Sequence, residues 1–209
     1  MNILNDALIE PCRRVQPGQF VRLRPIRLGD AELTLGWRMS RRAALLNAGA
    51  QSVGEQANWI SRRPVGELNY IIETTAEGVS VGTLSLVEID LAGRGAEPAR
   101  FLIGEEERCR GLPAAVEALK LLYGVAFDQL GLLSLSGCLA QDNRRMLKWH
   151  KYMGMEEVGL LERRAYINGR EQGLIGLRLS RADYTEVTLP RMNRLIALAT
   201  RGPNANKES

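Results

Sequence analysis

Three stretches of this 209-residue chain carry residue types that could do chemistry. The first is Arg108-Cys109-Arg110-Gly111, just ahead of an apolar-periodic segment that reads as a helix. Unpaired N–H groups and the positive end of the helix dipole gather at such a start, and two arginines beside it suit an anion such as a pyrophosphate. Arginine and glycine also precede helices in plain solvated loops, so the residues alone leave both readings open. The second is the single histidine, His150, seven residues after Asn143 in DNRRMLKWHKYMG. That spacing is two helical turns, which puts both side chains on one side. Imidazole is the side chain poised to exchange a proton near neutrality, although a helix histidine can equally be a hydrogen-bonded structural group. The third is the cluster Arg38, Arg41 and Arg42 behind Trp37, which could meet phosphates or simply form a solvated helix face.

Other chemistries are disfavoured. Cys12, Cys109 and Cys138 are odd in number and lack metal-ligand spacing, and one histidine leaves little for zinc, so no metal and a reducing compartment are expected. The 28 Lys and Arg against 24 Asp and Glu are scattered, and the excess suits an anionic small molecule as easily as nucleic acid. Aromatics make up only 5%, with no run interleaved with arginine, which argues against a base-stacking surface. The opening MNILNDALIE has no basic leader and no stretch is apolar enough to span a bilayer, so a cytoplasmic protein without membrane contact is expected.

The elements that must position these residues can be read in order. VRLRPIRL (21–28) alternates like a strand, and Gly29-Asp30 starts a helix over AELTLGWRM. Ser52 with Glu55 has the capping-box spacing for a helix over VGEQANWISRR. LNYIIETT and VSVGTLSLVEID read as a hairpin closed at Gly78; LAGRGAEP then breaks the pattern before a buried strand, ARFLIG. From Pro113, a helix carries Val116, Leu119, Tyr123, Phe127 and Leu130 on its apolar stripe, with Glu117, Lys120 and Asp128 largely off it. LLSLSGCLA is a strand, Asp142 is the expected N-cap of the next helix and Gly154 its stop. EVGLLERRAYI and EQGLIGLRLS form a hairpin at Asn168-Gly169, an amphipathic helix follows over 186–200, and RGPNANKES is expected to fray. The result is an α+β fold in the order β-α-α-β-β-β-α-β-α-β-β around a mixed, mostly antiparallel sheet of seven strands. Residues 1–18 are taken as an arm, 19–184 as the domain, and 185–209 as a C-terminal helix and tail.

Taken together, residues 99–180 resemble the acetyl-CoA-binding half of the GNAT family, the Gcn5-related N-acetyltransferases. The family's loop of Arg or Gln, x, x, Gly, x, Gly or Ala corresponds to Arg108-Cys109-Arg110-Gly111-Leu112-Pro113, which departs at Pro113. That residue has no N–H, leaving Gly111, Leu112, Ala114 and Ala115 to face the pyrophosphate. The family's segment Asn-x-x-Ala-Ile-x-Leu-Tyr-x-Lys-Leu-Gly-Phe resembles Asn143 to Met155, with His150 where many members carry a Tyr that protonates the leaving thiolate. The resemblance further implies acetyl-CoA as co-substrate, bound by Asn143 as well, and a backbone N–H near Leu102 and Ile103 that polarises the thioester. It also implies a glutamate base, for which Glu97 and Glu88 are the nominees unless both are surface carboxylates.

The N-terminal half resembles the RimJ/RimL-like branch. Trp37-Arg38, Asn47, Trp59 and AYINGREQGLIGLRLSRADY are most similar to enzymes that N-acetylate nucleotide-linked amino sugars, of the pseudaminic-acid pathway type. That implies a small-molecule amine acceptor, whose diphosphate Arg38, Arg41 or Arg42 could meet and whose base Trp37 or Tyr70 could stack upon, though both tryptophans could instead be core. Acetylation of a protein N-terminus or of another small amine, and acyl-CoA binding without catalysis, stand as alternatives. A homodimer is left open.

Overall fold

The computed structural model describes residues 7–47, 49–167 and 169–200. Seven strands form one sheet: β1 (Val21–Pro25), β2 (Leu68–Thr74), β3 (Ser80–Asp90), β4 (Gly95–Ile103), β5 (Ser134–Ala140), β6 (Glu156–Ile167) and β7 (Arg170–Ser180), in the spatial order β1-β2-β3-β4-β5-β7-β6. The helices are α1 (Ala31–Met39), α2 (Val53–Ser61), α3 (Ala114–Gly124), α4 (Arg144–Tyr152) and α5 (Leu189–Thr200). This is the α+β fold and element order that the sequence predicts.

All neighbouring strands are antiparallel except β4 and β5, which run parallel because α3 crosses between them. Their pairing is confined to Gly95 with Ser134 and Ala96 with Leu135. Beyond that point the strands part, and the sheet opens like a V. α3 closes one side of the core by burying Ala118, Leu119, Leu122 and Tyr123 against strands whose inward residues, Leu23, Tyr70, Ile72 and Leu84, are also shielded from water.

Several boundaries differ from the sequence reading, each for a physical reason. β1 ends at Pro25 because the chain turns there into a short 3₁₀ turn, Leu28–Asp30. The break expected over LAGRGAEP is limited to a tight turn: Arg94 takes a left-handed φ of 56° and β4 already begins at Gly95. The N-cap of α4 is Asn143, not Asp142, since the Asn143 side chain accepts the Met146 N–H at 3.3 Å. Glu117 does not lie off the apolar stripe. It is 4% exposed, and its carboxylate accepts the N–H groups of Gln19, Phe20 and Val21 at 2.7–2.8 Å. The C-terminal helical run begins at Arg181, passes through a wider π-type turn at Tyr184–Thr188, and continues into α5.

Residues 7–18 lie against the domain: Ile9 and Cys12 are in the core, and Gln16 pairs with Leu23. Met192 of α5 is buried in the same core. The expected turn residue Asn168 and the tail 201–209 lie outside the described residues. Among the described residues no helix is long and apolar enough to cross a membrane.

Candidate active site

The opening between β4 and β5 continues into a cleft of about 1810 Å³, bounded by α1, α2, the loop ahead of α3, and α4. Glu97, Arg100, Ile103 and Cys138 lie on its strands, Arg110 and Ala114 at one end, and Arg38 and Trp59 along the wall formed by the first two helices.

At the loop, Gly111 adopts φ of 78°, which a side chain would strain, and Pro113 caps α3. The first α-helical bond is Glu117 N–H to Pro113 O at 2.9 Å, so the amides of Ala114, Ala115 and Val116 precede the ladder and are available to an anion. Leu112 is not among these donors, because its N–H is given to Cys109 O at 2.9 Å. The loop's arginines are held locally: Arg110 pairs with Glu107 at 2.6 Å on the cleft rim. Arg108 faces away, lining a smaller hollow with Leu33 and Val79 and sitting 3.9 Å from Glu77. Arg42 reaches over from the segment after α1 to donate to Ile103 O at 2.6 Å and to pair with Glu106.

On the strands, Leu102 is buried and Ile103 is half-buried at the cleft. A register break between Thr83 and Ser85 puts Arg100 at a left-handed φ of 55°. Its guanidinium then bonds Glu67 at 2.7 and 3.2 Å and Asn69 Oδ1 at 2.9 Å, and lies 5.2 Å from the centre of the Trp59 ring. Glu97 lies just past the last residue of β4 that pairs with β5, close enough to Cys138 to act on its thiol and within 3.7 Å of Arg163. Burial raises its pKa, Arg163 pulls it back, and Glu88 adds to the rise. Glu88 is exposed at the cleft edge.

His150 and Asn143 do share the cleft side of α4, but Asn143 is engaged as the helix cap. The His150 ring packs edge-on to Trp149, 5.0 Å between centres, and its Nδ1 is buried without a hydrogen-bond partner among the described residues. Burial pushes its pKa down to about 4. The imidazole is therefore neutral at pH 7, not the imidazolium that an ordinary value near 6.5 would allow.

Two of the three expected acceptor residues belong to the interior. Trp37 is 4% exposed, donates Nε1–H to Glu105 at 2.8 Å, and presses so closely on Gly104 that a Cβ there would sit 2.3 Å from the indole. Tyr70 is 1% exposed and gives its hydroxyl to Cys12 O, so it floors the cleft without offering a face for stacking. Arg38 does face the cleft; its guanidinium donates to Asn47 O, and burial together with nearby Arg100 lowers its pKa. Sequence reasoning missed Arg100 and Arg163 altogether, and weighed Cys138 only as a metal ligand. The one signal was the charge triplet Glu162-Arg163-Arg164, which interrupts the alternation of β6 where the strand bulges.

A cleft between parted parallel strands, with free helix-start amides at one end and a desolvated carboxylate at its narrow point, can hold a long anionic thioester beside a base. The sequence profile of the acetyltransferase (GNAT) domain matches residues 21–156. The chain belongs to the GNAT acetyltransferase family. It is thus an acyl-CoA-dependent N-acetyltransferase, with acetyl-CoA as acetyl donor.

Solved structures agree on the fold. A GCN5-related N-acetyltransferase from Brucella melitensis is 19% identical, with TM-score 0.71, over 85% of this chain and 83% of its own. A variant of the spermidine N-acetyltransferase SpeG from Vibrio cholerae is 20% identical, with TM-score 0.68, over 81% and 98%. FdhC, described as a nucleotide-linked sugar GNAT, is 19% identical, with TM-score 0.68, over 88% and 97%. Among curated proteins none matches the sequence. The described residues contain no group of three or more His, Cys, Asp or Glu side chains placed to hold a metal ion.

Proposed function

We propose that this GNAT enzyme acetylates the amine of a nucleotide-linked amino sugar. One observation carries the reading: eight arginines and four glutamates line the cleft, and three of those glutamates, Glu97, Glu106 and Glu107, are already paired with Arg163, Arg42 and Arg110. Arg38, Arg41, Arg145 and Arg164 have no carboxylate partner among the described residues. Such a wall suits an acceptor that brings its own phosphates. A polyamine such as spermidine would need an acidic groove. FdhC, with its nucleotide-linked sugar, is similar in fold at 19% identity and supports the reading only that far.

In this scheme Glu97 takes a proton from the acceptor ammonium, and the freed nitrogen attacks the thioester carbonyl. The oxyanion that forms is met by a main-chain N–H on β4, near Leu102 and Ile103; as it collapses the C–S bond breaks, the second proton of the nitrogen passes to the departing sulfur, and the amide and free thiol are made. His150, neutral at pH 7, meets the departing sulfur as a hydrogen-bond donor. Amides of Gly111, Ala114 and Ala115 cradle the pyrophosphate.

Release of free thiol from acetyl-CoA is measured with a panel of nucleotide-linked amino sugars, spermidine, amine drugs and N-terminal peptides. The expected outcome is a kcat/KM for one nucleotide sugar at least about tenfold above every other class, a margin of 1.4 kcal/mol. Preferred turnover of spermidine or a peptide would overturn the acceptor assignment and leave the acetyltransferase intact.

A further inference from the structure

Three charged side chains approach Glu97 from irregular positions in three different strands. On β3, Glu88 takes a left-handed φ of 49° inside the register break between Val87 and Asp90. On β4, Arg100 occupies the break described above. On β6, Leu161 pairs with Leu174 and Arg164 with Gly173, so Glu162 and Arg163 are additional residues with no partner opposite. Bulges re-aim side chains that regular alternation would send elsewhere.

Of the three, the β6 bulge has the longest reach. β6 is the edge strand, separated from β5 by β7, yet Arg163 Nη2 arrives 3.3 Å from Cys138 Sγ on β5 and 3.7 Å from Glu97 Oε2 on β4. The guanidinium therefore spans the narrow point where β4 and β5 part. Arg100, the other cation near Glu97, is committed to Glu67, and Glu88 is a like charge. Arg163 is thus the one nearby cation, among the described residues, whose only carboxylate partner is Glu97.

We infer that Arg163 is a positioning residue for acetyl transfer, holding the Glu97 carboxylate ionised and aimed into the opening between β4 and β5. This rests on Glu97 as the proton acceptor. Without Arg163 the carboxylate faces its own desolvation and the like charge of Glu88, with only the engaged Arg100 in opposition. The base would then stay protonated to higher pH.

The Glu97 carboxyl is titrated by carbon-13 NMR in the full chain without substrates, its signal assigned by loss in Glu97→Gln. Arg163→Gln should move the midpoint up by roughly one unit, in the range of a lost neighbouring charge, and Arg163→Lys should restore most of it. The acidic limb of kcat/KM for the acceptor should move by the same amount, with KM for acetyl-CoA unchanged. Arg163 is exposed, so these variants should fold. An unmoved carboxyl midpoint overturns the inference, as does a uniform loss of activity at every pH with the limb in place. A moved midpoint with undiminished turnover in Glu97→Gln upholds the ion pair and instead removes Glu97 from the chemistry, so the two failures are told apart.

Discussion

The two ends of the cleft are built by different means. At the loop ahead of α3, the groups available to an anion are main-chain amides of one short segment, and the arginines beside them are exposed and paired with near neighbours. Along the opposite wall of the cleft, the polar groups are side chains from separate elements. Glu67, Asn69, Ser85 and Arg100 form one bonded network, Gln56 donates to Thr34 at 2.9 Å, and Arg38 stands near them without a carboxylate. A site made from a local backbone segment tolerates the loss of one side chain. A constellation made across the sheet concentrates its function in a few of them.

The sharpest challenge to that contrast is Glu97→Gln, expected to lower kcat about 10²- to 10⁴-fold in the thiol-release assay, as for loss of a general base. A drop below tenfold would pass the role to Glu88 or to water. Next is Glu117→Ala, which bears on how firmly the loop end is held rather than on chemistry. Three amides would lose their acceptor, and urea unfolding should show a loss of about 3 kcal/mol or more at roughly 1–3 kcal/mol each. Arg38→Ala should raise the acceptor KM about tenfold, the scale of one charge-assisted hydrogen bond, with KM for acetyl-CoA unchanged. Arg110→Ala should weaken acetyl-CoA by only about two- to threefold in calorimetry, because an exposed, salt-screened arginine contributes little. Equal effects of these two arginine changes would erase the distinction between the ends.

The smallest effect concerns acid stability. His150 titrates near 4 when folded against about 6.5 in the unfolded chain, so its contribution is intact above 6.5 and is lost as pH falls towards 4. It is the only histidine in the chain, and carboxylates of lowered pKa such as Glu67 and Glu73 lose their contribution only at lower pH. His150→Phe should therefore narrow the difference in urea midpoint between pH 7 and pH 4.5, and an unchanged difference would mean the ring is hydrated.

The same contrast explains what could be read from the residues. The strands, the long helix at Ala114 and the loop around Gly111 follow from alternation, periodicity and a local motif, and the chain displays all three directly. Trp37 and Tyr70 look like stacking residues by type, but only the packing of Gly104 and Cys12 against them shows that they are interior. Glu117 reads as a surface carboxylate until the chain ahead of β1 is seen lying across it. Arg100 and Arg163 owe their direction to register breaks, which depend on how two strands slide past each other and leave little trace in either strand alone.

The seating of the first described residues has a practical side. Tyr70, beneath the cleft, hands its hydroxyl to the Cys12 carbonyl, while Gln16 ties that same carbonyl at 3.3 Å and is itself joined to Gln129 at 2.7 Å. Trimming the chain to begin at β1 would therefore remove a support from the floor of the cleft rather than an idle arm.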